Sequence, residues 1–343
     1  MTLMTPTARK LMKVLHIGVS NRGEWPLNKC NESTGFTPTA LCDVSPAALG
    51  KARGITGLPE SACYTDVDMA LREANVDCVI ICAPTVLHVP LCKKAINAGL
   101  PVLVEKGMAP DWNSTQELVR AAAEKNAIAA VAQNYRYSGV ERTIWRAIHD
   151  PGFDAHVGQV HLITYTHNRV RPNPRTLNYP FASVWDMSCH HFDNLLYWCG
   201  PMDQMIAFSW GASWSAYKHD NNTSAHIVFA NQTRCHYIHT HDAARNSLEV
   251  QIHGGRGALV RREDSLTFNL RPLEQFGTRP ELPVPLEQGH GEADVLRDFY
   301  AYIADGIEPG ISVANNLETM AACEMMVRSI TSRQICKRSE LNG

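Results

Sequence analysis

The chemistry in this chain is concentrated in a few side chains. In "DMSCHHFD", Asp186, His190 and Asp193 are spaced by four and three, so on a helix they share one face. An imidazole titrates near about pH 6.5, which suits removal of a hydroxyl proton. His191 points roughly 100° away on such a helix and is the poorer base. Ser183 stands at an N-cap position, which puts Asp186 at N3, so capping competes with chemistry for that carboxylate. Lys106 follows Glu105 at the end of the apolar run "PVLVEK", where its amine either steadies a developing oxygen charge or is simply solvated. Upstream of Asp186, "THNRVRPNPRTLNYPFASVWD" supplies His167, Arg169, Arg171, Arg175 and Tyr179. Guanidinium forks match carboxylate, sulfonate or phosphate, so this stretch points to an anionic substrate, unless the arginines serve loop carbonyls or a neighbouring subunit. "HYIHTH" places His239 and His241 on one strand face without a third ligand at a recognisable spacing. It reads as a sheet surface, and no metal site is expected.

These groups need a scaffold, and the hydrophobic pattern supplies one. From residue 13 to about 135, short apolar strands alternate with amphipathic stretches: "KVLHIGV", "TPTALCD", "VDCVIICA", "PVLVEK" and "AIAAVAQN" are separated by helical segments. Continuous apolar strands in such alternation indicate a parallel sheet covered on both faces, whose ligands bind at the carboxyl ends of the strands. Polar or special residues stand at those ends: Ser20 to Gly23, Asp43, Thr85, Glu105 with Lys106, and Gln133 with Asn134. In "VLHIGVSNRGEW", Gly18 and Gly23 fill the first and third places of a dinucleotide fingerprint. Ser20 takes the middle place as a small residue able to donate to a phosphate. Asp43 is placed to accept from the adenine ribose hydroxyls and would repel a 2′-phosphate, so NAD is favoured over NADP.

After "DPGFD" the texture changes to long half-buried strands, "GQVHLITYTHNRV", "AHIVFA", "TRCHYIHTH", "SLEVQIHG" and "GALVRRED", of a mainly antiparallel sheet. A helix over "SVWDMSCHHFDNLLYWCG" interrupts them, and helices over about 292–305 and 316–332 close the chain. The expected organisation is α/β: a leader at 1–12, a doubly wound Rossmann domain at 13–135, and an α+β domain at 136–343 built on a large open sheet. The C-terminal helices are free to pack back on the first domain. A formal charge of −2 across 343 residues argues against nucleic-acid or membrane-surface partners. The longest apolar run, "CVIICAPTVL", is too short to span a bilayer and is broken by Pro84. Eleven cysteines without a C-x-x-C pair, several inside apolar runs, read as buried reduced thiols of a cytoplasmic protein.

Together the glycine loop, Asp43, "APTVLHVPLCKKAINAGLPVLVEKGMA", "QNYRY", "DMSCHHFD" and "DFYAYIADGIEPGISVANNLETMAACEMMVRS" resemble the Gfo/Idh/MocA oxidoreductases over nearly the whole chain. The resemblance implies a sugar or cyclitol dehydrogenase in which Lys106 touches nicotinamide and substrate and Asp186 and His190 serve the proton transfer. It places cofactor contacts on Ser20, Arg22, Asp43, Pro84, Thr85, His88, Glu105 and Asn134. It also implies a homo-oligomer, dimer or tetramer, joined through the C-terminal sheet. Ser20 departs from a frequent glycine, Thr85 from a common asparagine, and Gly107 from the usual proline after the lysine, which leaves the reach of Lys106 looser. Two other readings stand beside the dehydrogenase: a glycosidase using tightly held NAD for transient oxidation, and a non-catalytic NAD-binding regulator.

Overall fold

The computed structural model describes residues 10–31, 33–174, 179–272, 277 and 279–342. The chain separates into two compact units, the first formed by residues 1–134 and 290–317, the second by 135–289 and 318–343.

The first unit is built on six parallel strands: β1 (Met12–Ile17), β2 (Phe36–Cys42), β3 (Cys63–Tyr64), β4 (Cys78–Ile81), β5 (Val102–Val104) and β6 (Ala129–Val131). Their order, β3-β2-β1-β4-β5-β6, reverses between β1 and β4, which opens a crevice at the carboxyl ends of those two strands. Burial explains the apolar runs: every residue of β4, β5 and β6 is shielded from solvent, as a sheet covered on both faces requires. The crossovers are α1 (Glu24–Lys29), α2 (Pro46–Thr56), α3 (Val67–Glu73), α4 (His88–Asn97) and α5 (Trp112–Glu124). The side chains of Ser45, Asp66 and Asp111 accept from the amides of Ala48, Met69 and Ser114 in the first turns of α2, α3 and α5, satisfying donors that a helix leaves open.

The second unit begins with α6 (Gly139–His149), and its sheet comprises β7 (Val160–Val170), then, after α7 (Cys189–Cys199), β8 (Met202–Trp210), β9 (Asn222–Phe229), β10 (Arg234–Thr240), β11 (Asp242–Gly254), β12 (Gly257–Arg262), β13 (Ser265–Leu270), β14 (Leu282–Pro283) and β15 (Cys336–Lys337). The order is β14-β13-β12-β11-β7-β10-β9-β8-β15, antiparallel except where β7 and β10 run side by side. One face of the central strands is buried, with Ile163, Tyr165, Cys235, Tyr237, Val250 and Ile252 nearly inaccessible.

The chain returns to the first unit through α8 (Glu292–Asp305), and α9 (Val313–Ser332) carries it back into the second. Phe299 and Tyr300 of α8 pack on Phe36, with ring centroids 5.8 and 5.7 Å away. Tyr300 also donates to the Lys10 carbonyl at 2.9 Å. Among the described residues all eleven cysteines are free, and no helix is long and apolar enough to cross a membrane.

Candidate active site

In the first unit the site grows from the end of β1. Gly18 has φ +79°, and a Cβ there would stand 2.8 Å from the Cys82 carbonyl carbon and oxygen. A Cβ on Gly23 would stand 2.0 Å from the Gly18 carbonyl oxygen. Both glycines are therefore fixed by close backbone approach, the use a dinucleotide loop makes of them. Ser20, exposed and extended, accepts the Gly23 amide through its carbonyl at 2.8 Å. Asp43 binds the loop to the end of β2: its carboxylate accepts from Val19 N at 3.0 Å and Ser45 N at 2.9 Å. The turn thus leaves no room for side chains at Gly18 and Gly23 and has a carboxylate beside it, as a pyrophosphate-binding loop requires.

Three of the expected cofactor residues, Arg22, Glu105 and His88, hold the loops rather than presenting open polar groups. Arg22 donates from Nε and Nη2 to Glu105 Oε1 at 3.0 and 2.6 Å, and Trp25 Nε1 donates to the same oxygen at 2.9 Å. Glu105 is 4 % exposed, and this triple contact supplies the compensation that its buried charge needs. The ion pair also offsets desolvation at Arg22 and holds its pKa above the usual value. His88 is a correction. Both of its ring nitrogens face backbone carbonyls, Nδ1 lying 2.7 Å from the Gly107 oxygen and Nε2 2.8 Å from the Ala83 oxygen, and the single N–H of the neutral ring donates to one of them. It is a buried brace between the β4 end and the segment carrying Lys106, and its ring has no nitrogen left for a cofactor. The looseness expected from Gly107 is answered by this brace. Pro84, Thr85 and Asn134 stand at the ends of β4 and β6, and Lys106 is half-buried past β5.

In the second unit the start of α7 differs from a plain helix. Residues Val184–Ser188 wind as a π-helical turn before the α-helix begins at Cys189. Ser183 is helical in conformation and its side chain caps nothing, so the capping expectation fails. Asp186 instead meets Arg171 Nη1 at 3.4 Å. His190 is 3 % exposed, and its ring lies flat on Tyr135, with centroids 3.9 Å apart and planes 8° from parallel.

Asp193 does not join the substrate ligands. It is 0 % exposed, and both oxygens are taken by a fork from Arg136, Nε to Oδ2 at 2.8 Å and Nη2 to Oδ1 at 2.6 Å, with the Thr319 hydroxyl 3.3 Å from Oδ1. This buried pair anchors α7 to the segment that holds Tyr135. Sequence reasoning missed Arg136 as a partner because the two residues are distant along the chain.

Arg169 has an unusual environment for a half-buried guanidinium. Its Nη1 lies 3.2 Å from Met187 Sδ and it interacts with the Tyr135 hydroxyl, but among the described residues it forms no ion pair. Burial and the neighbouring Arg171 pull its pKa below the usual value. Tyr179 is near Asp186, and burial pushes its hydroxyl pKa up. Arg175 lies outside the described residues.

The "HYIHTH" reading also needs correction. His239 and His241 are 0 % and 1 % exposed, on the core side of the sheet, not on its surface. They pack with His167 of β7 and His191 of α7, ring centroids 4.7 to 5.7 Å apart along the cluster. Burial lowers the pKa of all four, His167 to about 3 and His241 to about 4. Among the described residues no group of three His, Cys, Asp or Glu is placed to hold a metal ion.

Residues 12–133 match the family model described as an oxidoreductase family with an NAD-binding Rossmann fold. The chain carries the NAD-binding domain of the Gfo/Idh/MocA oxidoreductases. An uncharacterized oxidoreductase of Schizosaccharomyces pombe is 29% identical over 43% of this chain, and the chain spans 39% of that relative's length. The inositol 2-dehydrogenase of Rhizobium meliloti is 22% identical over 86% of this chain and 89% of its own. A solved oxidoreductase from Agrobacterium radiobacter, in complex with NAD+, L-tartaric acid and magnesium, superposes with a TM-score of 0.81 at 15% identity. That match covers 97% of this chain and 100% of the other, and so shares the fold. The loop of Gly18, Gly23 and Asp43, within the matched residues, fits NAD on the geometry given above.

Proposed function

We propose that this Gfo/Idh/MocA protein is an NAD-dependent dehydrogenase acting on a secondary hydroxyl of a sugar, sugar acid or cyclitol, with an anionic sugar as its preferred substrate. The carrying observation is one connected set of side chains in the second unit. His190 lies on Tyr135, the Tyr135 hydroxyl interacts with Arg169, and Arg169 carries a half-buried charge that among the described residues forms no ion pair, the Asp186 carboxylate acting on it without direct contact. A desolvated charge costs free energy until a counter-charge arrives, and a bound carboxylate or phosphate would supply one. The Agrobacterium structure's complex with tartrate, a hydroxylated acid, supports the acid, and the inositol dehydrogenase relative supports the polyol or cyclitol hydroxyl.

In this reading Gly18, Ser20, Gly23, Asp43, Pro84, Thr85 and Asn134 hold the cofactor, with Arg22, Glu105 and His88 bracing the loops. Bound NAD+ supplies the hydride acceptor. His190 takes the hydroxyl proton as the carbon is oxidised, and its burial against Tyr135 fixes the ring plane. Asp186 orients the substrate or His190 from one turn away, with the Arg171 guanidinium beside the carboxylate. Lys106 steadies the charge that develops on the oxygen. Phe208 of β8 and Ile238 of β10 both register with Ser224 of β9, are 56% and 42% exposed, and favour a homo-oligomer joined through this sheet.

The test follows absorbance of the reduced cofactor with a panel of neutral and acidic sugars and cyclitols, with NAD+ and NADP+ in parallel. Reduced NAD formed in step with oxidised product, faster with acids, supports the reading. Release of an aglycone without net cofactor reduction would replace it with a redox-neutral glycosidase. Equal turnover of acids and neutral sugars would remove the anionic preference.

A further inference from the structure

The buried histidines form a hydrogen-bonded chain with a direction. His167 Nδ1 lies 2.8 Å from His191 Nε2, and His191 Nδ1 lies 2.7 Å from the Tyr237 hydroxyl. Tyr237 donates to Ser188 Oγ at 2.8 Å, and Ser188 Oγ points on to the Ser183 carbonyl at 3.5 Å. A neutral imidazole has one N–H and one lone pair, so each link decides the next. At the Ser183 end stands a carbonyl, which only accepts. Ser188 therefore donates to it and accepts from Tyr237, Tyr237 accepts from His191 Nδ1–H, and His191 Nε2 accepts from His167 Nδ1–H. At the opposite end burial, with the charges of Arg169 and Arg171, keeps His167 neutral, so its ring carries a single N–H. The Ser183 end alone sets the polarity. His167 Nε2 is left with a bare lone pair.

That lone pair belongs to β7, two residues before Arg169. Alternate residues of a strand share a face and stand about 6.6 Å apart along it. One position thus offers an acceptor for a hydroxyl, and its neighbour a guanidinium without an ion pair. Spare capacity continues nearby. His239 and His241 have ring nitrogens, and Tyr217 a hydroxyl, that are buried without hydrogen-bond partners among the described residues.

We propose that His167 and Arg169 together form a specificity subsite for a hydroxy acid, Arg169 binding the carboxylate and His167 Nε2 accepting from a hydroxyl one or two carbons away. This rests on the anionic-sugar reading above and adds the second group that the acid must carry. A neutral sugar would leave Arg169 without a counter-charge, and a deoxy acid would leave the His167 lone pair desolvated. A site built to bind a hydroxyl rejects analogues lacking it strongly.

The experiment titrates D-gluconate, 2-deoxy-D-gluconate, 3-deoxy-D-gluconate and D-glucitol into the NAD+-saturated protein by calorimetry. Gluconate is expected to bind at least about tenfold tighter than glucitol and than one of the deoxy acids. In His167→Leu the gap between gluconate and that deoxy acid should close to within about twofold, while the gap to glucitol persists. Arg169→Met should close the gap to glucitol. Tyr237→Phe, a smaller change, should narrow the deoxy gap because His191 loses its acceptor. Long-range 15N NMR of the ligand-free protein should show His167 protonated at Nδ1 and bare at Nε2. Equal binding of gluconate and both deoxy acids, or a proton found on Nε2, overturns the subsite and leaves the anionic reading intact. No preference for gluconate over glucitol overturns the anionic reading and this proposal with it.

Discussion

Lowering the pH from about 7.5 to 5 should cost the second unit roughly 4 kcal/mol of stability through His167 and His241 alone. In the unfolded chain each titrates near about 6.5. In the folded unit burial is the first cause that holds His167 at about 3 and His241 at about 4, with the Arg169 and Arg171 charges lowering both further. The folded values lie below the unfolded ones, so stability is complete above about pH 6.5 and is lost as the pH falls toward the folded values. Between about pH 6.5 and 5 only the unfolded state takes up the protons, at about 1.36 kcal/mol per pH unit per histidine, or roughly 2 kcal/mol each. His191 and His239 are also held low by burial and act in the same direction. Urea unfolding followed by tryptophan emission reads this directly, because Trp145, Trp185, Trp198, Trp210 and Trp214 all belong to this unit. In His241→Gln the loss between the two pH values should shrink by about 2 kcal/mol. A wild-type stability unchanged at pH 5, or an equal loss in the variant, would refute the argument that buried neutral imidazoles set the acid sensitivity.

Three further outcomes follow from the geometry. Gly23→Ala forces its Cβ against the Gly18 carbonyl and should weaken NAD+ binding by at least about tenfold, measured by fluorescence titration of the cofactor. Asp193→Asn leaves the buried Arg136 charge without its partner and should destabilise the second unit by about 3–5 kcal/mol in the same urea assay. His88→Ala frees the Gly107 carbonyl and so the segment carrying Lys106; kcat should fall by about tenfold or more while NAD+ affinity changes less, which steady-state kinetics and cofactor titration together resolve.

Local sequence carried much of the architecture because local rules govern it. The apolar runs of β1, β4, β5 and β6 announce a covered parallel sheet, and the spacing of Gly18 and Gly23 announces a turn that no side chain fits. β3, β14 and β15, at two residues each, are too short to show a period, and they exist because longer neighbours offer an edge. The start of α7 was misjudged for a related reason: the π-helical turn is set by packing, so Ser183 lost the cap its residue type suggested.

The roles of charged and titratable side chains were decided by partners far away in the chain. Asp193 and His88 have residue types equally suited to ligands or to braces. Arg136 made the first a brace, and the carbonyls of Ala83 and Gly107 made the second one. His239 and His241 of "HYIHTH" alternate as a surface strand would, and α7 laid His191 over His239 on that face. What the sequence determined by itself was backbone: which stretches extend, coil or turn, because φ/ψ preference and hydrophobic period act between near neighbours. Only the tertiary structure decided which charges are spent in ion pairs and which, like Arg169, form none among the described residues, because electrostatic pairing acts through space and takes no account of position along the chain.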